Sequence, residues 1–106
     1  MKRNLIQLLF IATFAVVLSG CADSMYKTGN KHYNNMGYSK AAASYEKALK
    51  KKNIPDARMK LADCYRRINN SIKAEENYAQ AVALPEAKAI HKYYYAQALI
   101  ANGKCD

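Results

Sequence analysis

The sequence predicts an all-α chain built from antiparallel helix pairs, about two and a half of them, preceded by an amino-terminal targeting segment that is cleaved off. Three observations predict this. Apolar residues recur with helical period: Leu61, Ala62 and Tyr65, then, after the polar break Arg66 to Ser71, Ala74, Tyr78 and Ala81. The pattern repeats along the chain. A shift of 33 residues lays Ala41, Tyr45 and Ala48 over Ala74, Tyr78 and Ala81, and Gly29 over Ala62, while a shift of 34 lays Tyr95, Ala96 and Leu99 over Leu61, Ala62 and Tyr65. Finally, Met1 to Cys21 has the layout of a targeting signal and no strand pattern follows it.

The amino-terminal segment comes first. Lys2 and Arg3 form its positive start, and Leu5 to Leu18 is an almost unbroken apolar run, shorter than a membrane span requires. It closes on Leu18, Ser19, Gly20 and Cys21. These four residues match the lipobox of bacterial lipoproteins, in which small residues precede a cysteine whose thiolate is alkylated to a diacylglyceryl thioether. The expected division is therefore 1–20 signal peptide, 21–23 lipidated start and short spacer, and 24–106 helical repeats (24–53, 54–85 and a partial 86–106). The covalent lipid on Cys21 is the one non-protein group expected, and several acyl chains on one residue suffice for stable anchoring. Ala22 after the cysteine, by resemblance to lipoprotein sorting rules, implies the outer membrane, with the repeats facing the periplasm.

Ser24 to Met36 is expected as the first helix, with Gly29 at a close-packing position and Gly37 as its breaker; Ser39 is expected to cap the second, Lys40 to Lys52. Asn53-Ile54-Pro55 turns the chain, and Pro55 suits a first helical turn, which lacks N–H partners anyway. The second pair runs to Leu84. Pro85 is expected to open the last helix, Glu86 to Ala101, and Asn102-Gly103 to end it.

Period and residue pattern together resemble the tetratricopeptide repeat (TPR), which prefers a small residue at position 8, an aromatic at 11, alanine at 20, an aromatic at 24 and alanine at 27. The second copy matches with Ala62, Tyr65, Ala74, Tyr78 and Ala81; the first departs at position 11, where His32 stands beside Tyr33. The resemblance implies a groove lined by the first helix of each pair, with Tyr26, Asn30, Tyr33 and Asn34, then Met59, Asp63, Arg66 and Arg67, then Tyr93, Gln97 and Ile100 as partner-binding residues. The family's carboxylate clamp is not implied, because Tyr26 and Asp63 replace its lysine and one of its asparagines.

The order of lipobox, short spacer, KLADCYRRINNSIKAEENYAQAV and YYYAQALIANGK also resembles the amino-terminal repeat module of large OmpA-family envelope lipoproteins of Bacteroidetes-type bacteria, some tied to type IX secretion and gliding. Those proteins continue into a β-propeller and a peptidoglycan-binding domain. With the third repeat halved and Tyr94, Leu99 and Ile100 expected to form an uncovered apolar surface, a fragment of such a protein is expected.

Composition narrows the function. Among 106 residues, 17 Lys and Arg stand against 8 acids; losing Lys2 and Arg3 with the signal leaves 15 against 8. Such a surplus suits an anionic partner, and a structural tether to anionic cell-wall polymer is the rival to an adaptor that holds envelope proteins or peptides. Nucleic acid is not expected as a partner of an exported chain. No nucleophile, base and stabiliser converge, so no enzyme is expected; His32 and His91 are too far apart to share a metal, and no catalytic or metal residues are assigned. Cys64 is expected to pack at a helix crossing, with a Cys64 to Cys105 disulfide as the alternative.

Overall fold

A computed structural model describes residues 20–104, and every regular element among them is a helix. We number them α1 (20–34 of the described residues), α2 (Tyr38–Lys51), α3 (Pro55–Arg67), α4 (Ser71–Ala81) and α5 (Ala89–Ala101). None is long and apolar enough to cross a membrane. The proposed apolar run of the signal, with Leu18 and Ser19, lies outside the described residues, as does Cys105.

Each helix packs antiparallel to the next. Along α1 and α2, Asp23 meets Lys52, Asn30 meets Tyr45 and Tyr33 meets Tyr38, so one helix ascends as the other descends. Across α1 and α3 the partners instead keep a constant separation of 30 residues: Tyr26 with Asp56, Asn30 with Lys60, Tyr33 with Asp63. Two helices whose contacts advance together run parallel, so α3 lies alongside α1 and α2 connects them.

The core is made by the recurring small and aromatic positions. Ala41, Tyr45 and Ala48 on α2, and Ala74, Tyr78 and Ala81 on α4, are all buried, as are Gly29 and Ala62 opposite them. Alanine and glycine let the backbones approach and the two tyrosines fill the space between, which is why rings this large can be wholly enclosed. Their hydroxyls are satisfied: that of Tyr45 donates to Asn30 Oδ1 at 2.6 Å, and that of Tyr78 accepts from Arg66 Nε at 3.3 Å. Among the described residues no buried side-chain polar atom lacks a partner.

The helix ends carry a second repeat. α1, α3 and α5 each finish in a residue of left-handed backbone, Met36 (φ 61°), Asn69 (φ 62°) and Gly103 (φ 76°). In each case the residue after it donates its N–H back across the last turn, Gly37 to His32, Asn70 to Tyr65 and Lys104 to Leu99, satisfying a carbonyl the helix leaves unpaired. The three caps lie 33 and 34 residues apart, the spacing of the sequence pattern.

Several boundaries differ from expectation, each for a local reason. α1 already includes Gly20 and Cys21 and stops at residue 34, because the left-handed turn falls on Met36 and not on Gly37. Ser39 does not cap α2; Gly37 holds that position without a side-chain bond. Asn70 caps α4 instead, its side chain accepting from the N–H of Lys73 at 3.1 Å. α4 ends at Ala81, and Pro85 sits in a pair of tight turns closed by Leu84 N–H to Ala81 and Ala87 N–H to Leu84. α5 therefore starts at Ala89, where His91 Nδ1 accepts from the N–H of Lys88 at 2.9 Å. Pro55 opens α3 as expected.

Candidate functional site

The face shared by α1, α3 and α5 is recessed. A cleft of about 280 Å³ is lined by Tyr33 from α1, by Asp56, Met59, Lys60 and Asp63 from α3, and by Lys88, Ile90 and His91 at the start of α5. Farther along α3 a second cleft, about 320 Å³, lies between Arg66, Tyr94 and Gln97 and is floored by Ala74 and Ala98.

Asp63 is the electrostatic centre of this face. Its carboxylate accepts from the Tyr33 hydroxyl at 2.6 Å, from Arg66 Nε at 3.1 Å and from Arg67 Nε at 3.0 Å. Burial works against its charge, but these hydrogen bonds and the Arg66 cation outweigh burial and hold the carboxyl below its usual range. Burial and the bond to Asp63 push the Tyr33 phenol upward, so it stays a neutral donor. Each arginine is also spread on a tyrosine ring, Arg66 at 3.9 Å from the centre of Tyr94 and Arg67 at 4.9 Å from that of Tyr38. One carboxylate thus sets two guanidinium planes.

Lys60 is fixed in a similar way, 3.0 Å from Asp56 and 3.1 Å from Asn30 Oδ1, with its ammonium 5.5 Å from the centre of the Tyr33 ring. Tyr26 donates to Asp56. The face therefore presents ordered cations and tyrosines around the apolar side chains of Met59 and Ile90.

The residues expected to line a groove divide accordingly. Tyr33, Met59 and Asp63 line the first cleft and Arg66 and Gln97 the second. Tyr26 and Asn30 spend their polar atoms holding α1 to its neighbours. Arg67 covers Tyr38 at the edge, and Asn34 is exposed beyond the clefts. Tyr93 is 57% exposed and accepts a bond from Gln97, while Ile100 is 62% exposed. Tyr94 is not the open surface expected: it is half-buried against Tyr78 and under Arg66. Leu99 is half-buried too.

Sequence reasoning missed Asp56, Lys60, Lys88, Ile90 and His91 as lining residues. A signal for the first two existed. Partners between neighbouring parallel helices fall about one helical turn short of the repeat length, so Tyr26 and Asn30 pointed to positions 56 and 60. Lys88 and His91 enter only because α5 begins later than its pattern suggests.

Cys64 is free and fully buried, and burial pushes its thiol up to about 12, which removes the thiolate needed for reaction at neutral pH. Among the described residues no group of His, Cys, Asp and Glu is placed to hold a metal ion. Cys21 is exposed on α1.

What fold and site define is an all-helical protein with a recessed, ordered polar and aromatic face. Comparison with protein-family models, with curated proteins and with solved structures gives no match.

Proposed function

We propose that this chain is a lipid-anchored adaptor of the TPR type, held to the periplasmic side of a bacterial outer membrane through Cys21 and binding an envelope or secretion protein along the α1, α3 and α5 face. The observation that carries the reading is the parallel placement of α1 and α3, at a constant offset of 30 residues, with the cleft at Tyr33, Met59 and Asp63 beside it. Side chains already locked in place cost little further entropy when a peptide arrives, which favours a binding surface. Met59 and Ile90 supply apolar contact, and Lys60 and Arg66 supply charge-assisted bonds at the rim. Membership of a longer OmpA-family lipoprotein remains part of the proposal.

A photo-crosslinking residue placed at Met59 or Ile90 in the native membrane tests it. The reading expects the same discrete protein adduct from both positions, and none from Gln80, which is exposed on α4. Equal crosslinking from Gln80, or adducts from neither cleft position, contradicts it.

A further inference from the structure

The lysine run Lys50-Lys51-Lys52 lines neither cleft of the α1, α3 and α5 face. The run closes α2, and antiparallel packing brings it back beside Asp23 of α1, with Lys52 Nζ 3.5 Å from Asp23 Oδ1. Asp23 is two residues from Cys21 on the same helix, about 3 Å along its axis. Ala22, between them, is completely buried, so this turn belongs to the packed body and is no loose tether.

The charges at this end do not cancel. Lys52 matches Asp23, while Lys50 and Lys51 are exposed and form no ion pair among the described residues. Of the acids on neighbouring turns, Asp56 is paired with Lys60, and Glu46, which lines the same cleft as Lys50, accepts from Tyr65, so one carboxylate stands near two unpaired lysines. The helix dipole favours lysines at the end of α2, but it does not account for that end standing beside Cys21.

We infer that Lys50, Lys51 and Lys52 are a second membrane contact, docking on anionic lipid headgroups beside the acylated Cys21. The inference rests on the proposed anchor. Acyl chains on a helical Cys21 bring the body within a Debye length of the surface, where each lysine is attracted to anionic lipid. Anchor and lysine run then fix two points of one rigid body. They set its tilt, and with it the direction in which the α1, α3 and α5 face opens.

Lysine-by-lysine acetylation of the native protein, read by mass spectrometry, tests this. Extracted protein is reconstituted in phosphatidylcholine vesicles with or without phosphatidylglycerol, and the tryptic peptide Cys21 to Lys27 is weighed from an aliquot set aside before acetylation. Modification of Lys50 to Lys52 is expected to slow roughly ten-fold on the anionic vesicles alone and to recover in high salt. Lys40 and Lys73, at the opposite helix ends, are expected to react alike throughout. The double variant K50E/K51E is expected to lose the protection of Lys52, and its near-ultraviolet circular dichroism reports that the fold persists.

An acylated Cys21 peptide with no protection on either vesicle overturns the inference and leaves the anchor standing. Protection by purified cell-wall sacculi and not by anionic vesicles overturns it in favour of a polymer contact. An unacylated Cys21 removes the anchor and the inference together.

Discussion

The ring of Tyr45 lies so close to Gly29 that a β-carbon added to the glycine would stand 2.6 Å from Cε1 and 2.7 Å from Cδ1. The ring cannot swing aside, being fully buried with its hydroxyl bonded to Asn30. Glycine is needed here for space, since it sits inside a helix that alanine would otherwise favour.

Gly29→Ala is therefore expected to destabilise the protein by about 1–2 kcal/mol, overpacking outweighing the gain in helix propensity. Urea denaturation checks it. An unchanged or raised midpoint would mean that α1 can shift away from α2 without loss.

Met36 holds a left-handed backbone, φ 61°, with its side chain 77% exposed, so it contributes strain and little packing. Met36→Gly is expected to stabilise by roughly 0.5–1 kcal/mol, or a few degrees in Tm. Gly103 already occupies the same cap on α5, and Gly103→Ala is expected to act in the opposite direction.

Despite burial, hydrogen bonds from Tyr33, Arg66 and Arg67 hold the Asp63 carboxyl below the ordinary aspartate range, and the sign of its effect on stability follows. A carboxyl whose folded value is depressed adds stability that is complete above the unfolded value and is lost as pH falls through the folded one. Asp63→Asn is expected to cost about 2 kcal/mol at pH 7 and to narrow its deficit in acid, as the unfolded carboxyl takes up a proton first and the folded one only at lower pH. Denaturation of both proteins across that range measures it. A deficit independent of pH would mean that the carboxylate charge is not what holds Arg66 and Arg67.

Much of this fold was legible because its core uses a two-letter alphabet. Ala41, Tyr45 and Ala48, repeated as Ala74, Tyr78 and Ala81, announce both period and buried face, since only small residues permit the approach that lets a tyrosine disappear. The ends were less legible. Left-handed caps at Met36 and Asn69 occupy the same repeat position as Gly103, yet only glycine there is a strong signal. Gly37 drew the break one residue late for that reason, and Pro85 drew the start of α5 early although it lies in a turn. At the site, Asp63, Arg66 and Arg67 were found as residues but not as a unit. Their contacts with Tyr33, Tyr38 and Tyr94 join α3 to α1, α2 and α5, and such contacts depend on the stagger between helices, which a periodic pattern leaves open.

Both the envelope placement and the lysine contact depend on Cys21, so its covalent state is the most direct test. The tryptic peptide Cys21 to Lys27, taken from the membrane fraction and weighed, is predicted to begin at Cys21 and to carry a diacylglyceryl thioether. A peptide that continues upstream of Gly20, or a free thiol at Cys21, would contradict the account.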